Sequence, residues 1–276
     1  RERARKLTEN EKESREKVLV PFRPHVLLDM DQKQSFQIGY LFLQQIYYDL
    51  KLPLICNAIA KRHAFQYDMN EILSRLVYGR ILFPSSKLST YKQSSSLFEK
   101  SSFSYHDIPR ALSVIAEEYD FIQERLYKYS SEVIPRKTSV LYYDCTNFYF
   151  EIEEESGLRR YGKSKENRPN PIVQMGLFMD YSGLPLAMTI TNGNENEQKT
   201  LLPLEKKILS DFELSNFVVC TDAGLSSESN RKFNNFGERF FVTTQSIRKM
   251  TKERQDWCLD PKGWKLPGSN ILYDLN

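Results

Sequence analysis

In the second half of the chain, apolar and polar residues alternate over short stretches; in the first half apolar residues return at helical spacing. The β-branched and aromatic stretch Thr138 to Phe150 predicts a long strand. Two more strands follow, Ile172 to Met179 and Leu184 to Thr191, joined by the turn Asp180-Tyr181-Ser182-Gly183, which makes an antiparallel meander. Behind the polar stretch Asn192-Gly193-Asn194-Glu195-Asn196, the spacing of Leu201, Leu204, Ile208 and Leu209 predicts a helix over Glu197 to Ser210. A strand from Phe217 to Asp222, a shorter helix around Ser226 to Asn235 and a strand from Arg239 to Thr244 complete the order βββαβαβ. The crossover helix lets the fourth strand lie parallel to the first, following the right-handed preference for such connections.

Before the strands, helices are predicted at Gln37 to Leu50, Met69 to Leu82, Ser86 to Phe98, Ile108 to Glu118 and Phe121 to Val133. Pro53, Pro84, Pro109 and Pro135 punctuate them as breaks. At 276 residues the chain exceeds the usual size of one core. The pattern divides it into a charged lead-in (1–36), a helical domain (37–136), a sheet-bearing core (137–245) and a last stretch (246–276). In that last stretch Trp257, Pro261, Gly263, Trp264 and Pro267 suggest the start of a β-rich region. No apolar run reaches the roughly eighteen residues of a bilayer span and no signal peptide is visible at the charged start, so a soluble cytoplasmic protein is expected.

Candidate chemistry comes from two strands that each end on an aspartate, Val140-Leu141-Tyr142-Tyr143-Asp144 and Phe217-Val218-Val219-Cys220-Thr221-Asp222. Side by side at one sheet edge, two carboxylates suit a hard divalent cation such as Mg²⁺, which takes oxygen ligands and one or two protein carboxylates. That points to phosphoryl transfer. The plain alternative is that Asp ends strands because its side chain caps turns. Thr146, on the same strand face as Asp144, and Gly224, where the backbone can approach closely, are secondary candidates.

Charge changes this picture only locally, because 39 Lys plus Arg against 36 Asp plus Glu leave a net of +3. Arg159, Arg160, Lys163, Lys165 and Arg168 fall together between the first two strands and fit phosphate contacts. The competing reading is a solvated hairpin balanced by Glu151, Glu153, Glu154 and Glu155. In the helical region Lys61, Arg62, Arg75, Arg80, Lys87 and Lys92 are either a DNA-end-binding surface or ordinary solvent-facing charge, with no helix-turn-helix signature. Phe148, Tyr149 and Phe150 either stack on bases or fill a core. The four cysteines and three histidines are scattered, with no spacing that signals zinc or a disulfide framework.

Taken together, Tyr143-Asp144-Cys145-Thr146, the run Gly157 to Pro169, Gly183-Leu184-Pro185-Leu186 with Gly193-Asn194, and Thr221-Asp222-Ala223-Gly224-Leu225 resemble the DDE transposases of bacterial insertion sequences. The likeness covers roughly residues 138 to 245. It implies an α/β ribonuclease H-like catalytic core, a βββαβαβ mixed sheet, preceded by an all-α domain that binds DNA. It also implies metal-dependent cleavage of transposon ends and strand transfer, with Mg²⁺ or Mn²⁺ held by Asp144 and Asp222 as the first two members of a catalytic triad. The third member, a glutamate on a helix in a Tyr-Arg-Glu-Lys type motif, has no match among Glu228, Glu238 and Glu253 and is expected beyond residue 276. Asp144 is expected to bridge the metals. Arg159, Arg160, Tyr161, Lys163, Lys165 and Arg168 are expected to contact DNA, and the family implies a homodimer in a synaptic complex in the bacterial cytoplasm, associated with the nucleoid. Two alternatives are a truncated, non-catalytic DNA-binding remnant and a ribonuclease H-like nuclease.

Overall fold

The computed structural model describes residues 30, 35–225, 227–265 and 268–274. The charged lead-in therefore lies almost wholly outside the described residues. From Ile38 onward the chain forms one compact unit.

Among the described residues six helices precede the sheet: α1 (Tyr40–Asp49), α2 (Leu52–Ala60), α3 (Met69–Leu82), α4 (Lys87–Ser94), α5 (Asp107–Glu117) and α6 (Tyr119–Val133). Asp68 and Ser86 cap α3 and α4, their side-chain oxygens accepting the backbone N–H of Glu71 and Ser89 at 3.0 and 3.2 Å. Helix α2 is absent from the sequence expectation because Pro53 reads as a terminator. Here it sits at the start of a new helix, where its missing N–H costs nothing. Lys51, left-handed at φ 53°, makes the corner between α1 and α2. Tyr40, Tyr47, Ile55, Ile59, Met69 and Tyr78 close the core between these helices. Arg75 is buried in it, with Nη2 donating to the Glu99 carbonyl at 3.1 Å, so this arginine serves the core and is not offered to a phosphate.

The sheet has five strands in the order β3-β2-β1-β4-β5: β1 (Val140–Tyr149), β2 (Ile172–Asp180), β3 (Pro185–Asn192), β4 (Val218–Thr221) and β5 (Phe240–Thr243). β1 pairs antiparallel with β2 and β2 with β3, whereas β4 runs parallel to both β1 and β5. The expected mixed sheet is thus present, with helices α7 (Leu201–Asp211) and α8 (Glu228–Asn234) in the expected places between strands. The helix expected from Glu197 starts later. Glu197–Lys199 is a 3-10 turn, and Pro203 falls in the first turn of α7, where it need not donate to the Lys199 carbonyl. After β5 the chain makes helix α9 (Lys252–Leu259) and one isolated bridge between Trp264 and Tyr273.

Strict alternation along β1 sends Leu141, Tyr143, Cys145 and Asn147 inward. Leu201, Leu204 and Ile208 of α7 cover that face together with Phe178, Val219 and Phe217. The Tyr143 hydroxyl occupies the space a Cβ on Gly176 would need and shares a 2.6 Å hydrogen bond with Thr200 Oγ1. Burial pushes the Tyr143 phenol far above its ordinary value, so it stays a neutral hydrogen-bonding group.

At the far end of β1 the chain turns through Ser156–Arg159 and comes back as Arg160 bridging Ile172. Gly193 N donates to the Leu158 carbonyl at 3.1 Å, and a Cβ on Gly193 would overlap the carbonyl oxygens of Ile172 and Arg160. Backbone cannot swing aside as a side chain does. Gly193→Ala is therefore expected to cost about 1–3 kcal/mol, the range for overpacking. A shift of the urea midpoint with an unchanged slope checks this; an unmoved midpoint refutes it.

Candidate active site

Asp144 lies on the face of β1 opposite Tyr143 and Cys145, where Tyr142, Asp144, Thr146 and Phe148 follow one another. The parallel register pairs Val140 with Val218, Leu141 with Val219 and Tyr142 with Cys220. Carried two residues further, the same register brings Asp144 and Asp222 level, just where β4 ends and β1 continues paired with β2 alone. Both carboxylates are exposed.

Each is oriented by a backbone amide. Asp144 Oδ1 accepts from Cys145 N at 2.8 Å, and Asp222 Oδ1 accepts from Leu225 N at 3.1 Å, closing the turn after β4. A Cβ on Gly224 would sit 3.3 Å from Asp222 Oδ1, so glycine there gives the carboxylate room to fold back over its own turn. The second oxygen of each aspartate accepts no hydrogen bond among the described residues. Two exposed carboxylates, each with one oxygen aligned by an amide and the other free, fit a divalent cation that keeps several of its waters. No group of three or more His, Cys, Asp or Glu side chains that could hold a metal is found among the described residues.

The surrounding sheet face is apolar. Val173, Met175, Leu177 and Met179 of β2 stand beside the β1 row, with Phe240 (59% exposed) and Val242 (60%) on β5. Asp144 therefore emerges from an open apolar surface rather than from a closed pocket.

Of the basic run, Lys165 reaches the backbone of β1 next to Asp144. Its ammonium donates to the carbonyl of Cys145, next in chain to Asp144, and lies 4.0 Å from Glu197 Oε1. Asn147 holds this segment in place, Nδ2 donating to the Lys163 carbonyl and Oδ1 accepting Lys165 N, both at 3.2 Å. Arg160 bridges Ile172, which pairs with Tyr149, five residues along β1 from Asp144, or roughly 16 Å at strand spacing. Arg160 also pairs with Glu155 at 3.4 Å, while Tyr161 N donates to Glu155 and the Tyr161 hydroxyl to the Glu153 carbonyl. Arg159 stacks on Phe150, and Arg168 stacks on Tyr149 and faces Glu166 at 3.8 Å. Lys163 is exposed. Arg160, Lys165 and Arg168 thus each face a nearby glutamate, Glu155, Glu197 and Glu166.

The sequence reading overlooked the residues that hold the Asp222 turn. Thr243 Oγ1 donates to the Asp222 carbonyl at 3.1 Å, Gln198 Nε2 to the Gly224 carbonyl at 2.9 Å, and Asn230 Nδ2 to the Leu225 carbonyl at 2.7 Å. The signal was faint: an asparagine in the middle of a short helix, a place where its helix propensity is poor.

No family model and no curated protein matches this chain. Among solved structures, it is similar to a piggyBac transposase in a synaptic complex with hairpin DNA, at 11% identity and a TM-score of 0.37 over 72% of this chain and 47% of that one. It is also similar to the Mos1 transposase in a paired-end complex with the left transposon end, at 8% identity and a TM-score of 0.28 over 71% of this chain and 72% of that one. The chain thus spans about half the length of the first. At these scores the likeness carries no functional argument. Among the described residues no helix is long and apolar enough to cross a membrane.

Proposed function

We propose that this protein is a DNA transposase with a ribonuclease H-like core, in which Asp144 and Asp222 hold a divalent cation, Mg²⁺ or Mn²⁺, for cutting and joining DNA strands. The observation that supports this most is the register of β1 and β4, which, carried past the end of β4, sets Asp222 level with Asp144 in the middle of β1, both carboxylates exposed. The motifs around both aspartates resemble those of the insertion-sequence enzymes, and the β-β-β-α-β-α-β order is that of the proposed core.

When bound, the cation would activate water or a 3′-hydroxyl and stabilise the leaving oxygen of the phosphodiester. The chain's own residues hold and aim it. Asp144 offers its free oxygen from a strand paired with β2, and Asp222 offers its own from a turn. Lys165 places a positive charge beside them, where a phosphate of the DNA backbone would lie. The exposed rings of Tyr142 and Phe148 flank Asp144 and offer the bases or sugars an apolar bed.

The test is a Mn²⁺ titration followed by water proton relaxation, with circular dichroism to confirm folding. Saturable binding is expected, and it is expected to vanish in Asp144→Ala and in Asp222→Ala while each stays folded. Binding that is weak and identical in all three chains would overturn the metal centre and leave DNA binding without chemistry as the better reading.

A further inference from the structure

The turn carrying Asp222 has little packing to hold it. Ala223 and Gly224 are exposed, and only Leu225 at its far end is buried. Its shape therefore depends on hydrogen bonds, and two of these come from side-chain amides outside the turn. Gln198, in the 3-10 turn before α7, donates to the Gly224 carbonyl at 2.9 Å. Asn230, in α8, donates to the Leu225 carbonyl at 2.7 Å and to the backbone carbonyl of Gln198 at 3.1 Å, so it also holds the segment that carries Gln198.

Asn230 is nearly fully buried, and its Oδ1 has no partner among the described residues. A buried amide with an orphan acceptor costs stability, on the order of 1–3 kcal/mol, which an apolar residue at that position would avoid. What Asn230 supplies in return is its two donor hydrogens, both directed to the segments that shape the turn.

We propose that Gln198 and Asn230 form an amide clamp that positions the Asp222 carboxylate for divalent-cation binding. They are positioning residues, acting through the backbone of the turn and not on the metal itself. The clamp rests on the reading of Asp144 and Asp222 as a metal centre. It adds that the affinity of this centre is set from the α7 and α8 side of the sheet.

Partners that orient metal ligands typically change affinity 10–100-fold when removed. Gln198 is partly exposed, so Gln198→Ala should leave the fold and the melting temperature near their original values while weakening Mn²⁺ binding by about tenfold or more. Asn230→Ala should weaken it at least as much. Both effects are read in the chain with Asp144 and Asp222 intact.

The measurement is the Mn²⁺ relaxation titration on these chains, with thermal melts alongside. A Gln198→Ala chain that melts normally and binds Mn²⁺ as tightly as the unaltered protein overturns the clamp and leaves the metal centre standing. Absence of saturable binding in the unaltered protein overturns both. If Asn230→Ala fails to fold, Gln198→Ala alone decides.

Discussion

Asp180→Ala is expected to lower the unfolding free energy by about 3–5 kcal/mol, the cost of removing one partner of a buried ion pair. The Asp180 side chain is 0% exposed and that of Arg136 5%, with Nε to Oδ2 at 2.6 Å. The other carboxylate oxygen accepts the backbone N–H groups of Ser182 and Leu184 at 2.9 and 3.0 Å. Arg136 continues to Ser130 Oγ on α6 and to the carbonyls of Leu184 and Pro185. One ion pair thus ties the last helix before the sheet to the β2–β3 turn, and either truncation strands a charge and several polar groups. Burial pushes the Asp180 carboxyl up, but Arg136 and the two amides outweigh it and hold it below the usual range. With the folded value below the unfolded one, this stabilisation is present above about pH 4 and is lost as pH falls through the folded value. Urea unfolding at pH 7 of Asp180→Ala, Arg136→Ala and the double variant checks the prediction. A single-variant loss below about 1 kcal/mol, the level of an exposed pair, would refute it.

Glu205 gives the second large effect, with the opposite dependence on pH. It sits in α7 with 0% exposure, accepting Asn234 Nδ2 at 2.9 Å through one oxygen while the other has no partner among the described residues. Burial pushes its carboxyl up to about 7, with Asn234 and the charge of Arg239 pulling only part of the way back. Here the folded value lies above the unfolded one near 4.3, so the folded protein binds the proton more tightly. The contribution of Glu205 is complete below about pH 4 and is lost as pH rises through about 7. At about 1.4 kcal/mol per pH unit the loss by pH 8 is about 3 kcal/mol. Glu205→Gln keeps the shape and the acceptor for Asn234 without the charge. It should leave stability at pH 5 nearly unchanged, raise it at pH 8 and flatten the profile between. Parallel profiles for the two proteins would mean that Glu205 does not titrate in this window. Arg239, which stacks on Phe233 and donates to the Phe233 and Phe236 carbonyls, is the cation facing it from the β5 side.

The two aspartates were legible because strand chemistry is local. An apolar run ending in Asp at 144 and again at 222 is visible without coordinates, and alternation along β1 fixes which residues share the face of Asp144. The level placement of the pair needed the parallel register, which the element order made the expected solution. The clamp was not legible, since Gln198 and Asn230 act on backbone carbonyls, which every residue has and no sequence distinguishes. Arg136 and Asp180 were invisible as a pair for a related reason: each is unremarkable alone, and only the fold brings the β2–β3 turn to the end of α6. Pro53 misled because the same ring that ends a helix also begins one, and the left-handed Lys51 that decides between them carries no glycine to announce it. The basic run was read correctly as clustered charge. Its internal pairing with Glu155 and Glu166 follows from a hairpin geometry that composition does not encode.

The parallel pairing of β1 with β4 also sets an order of events during folding. β2 and β3 are joined by a tight turn and β1 to β2 by residues 150–171, so the three can pair as a meander once residue 192 is available. The partner of β1 on its other side arrives only after α7 has been made and laid across the sheet. Closing that longer loop is entropically the slower step, as for other non-local strand pairings. During synthesis the strand bearing Asp144 is thus paired on one side well before Asp222 reaches it, and the nascent chain passes through a stage in which the meander is formed and the two aspartates are still apart.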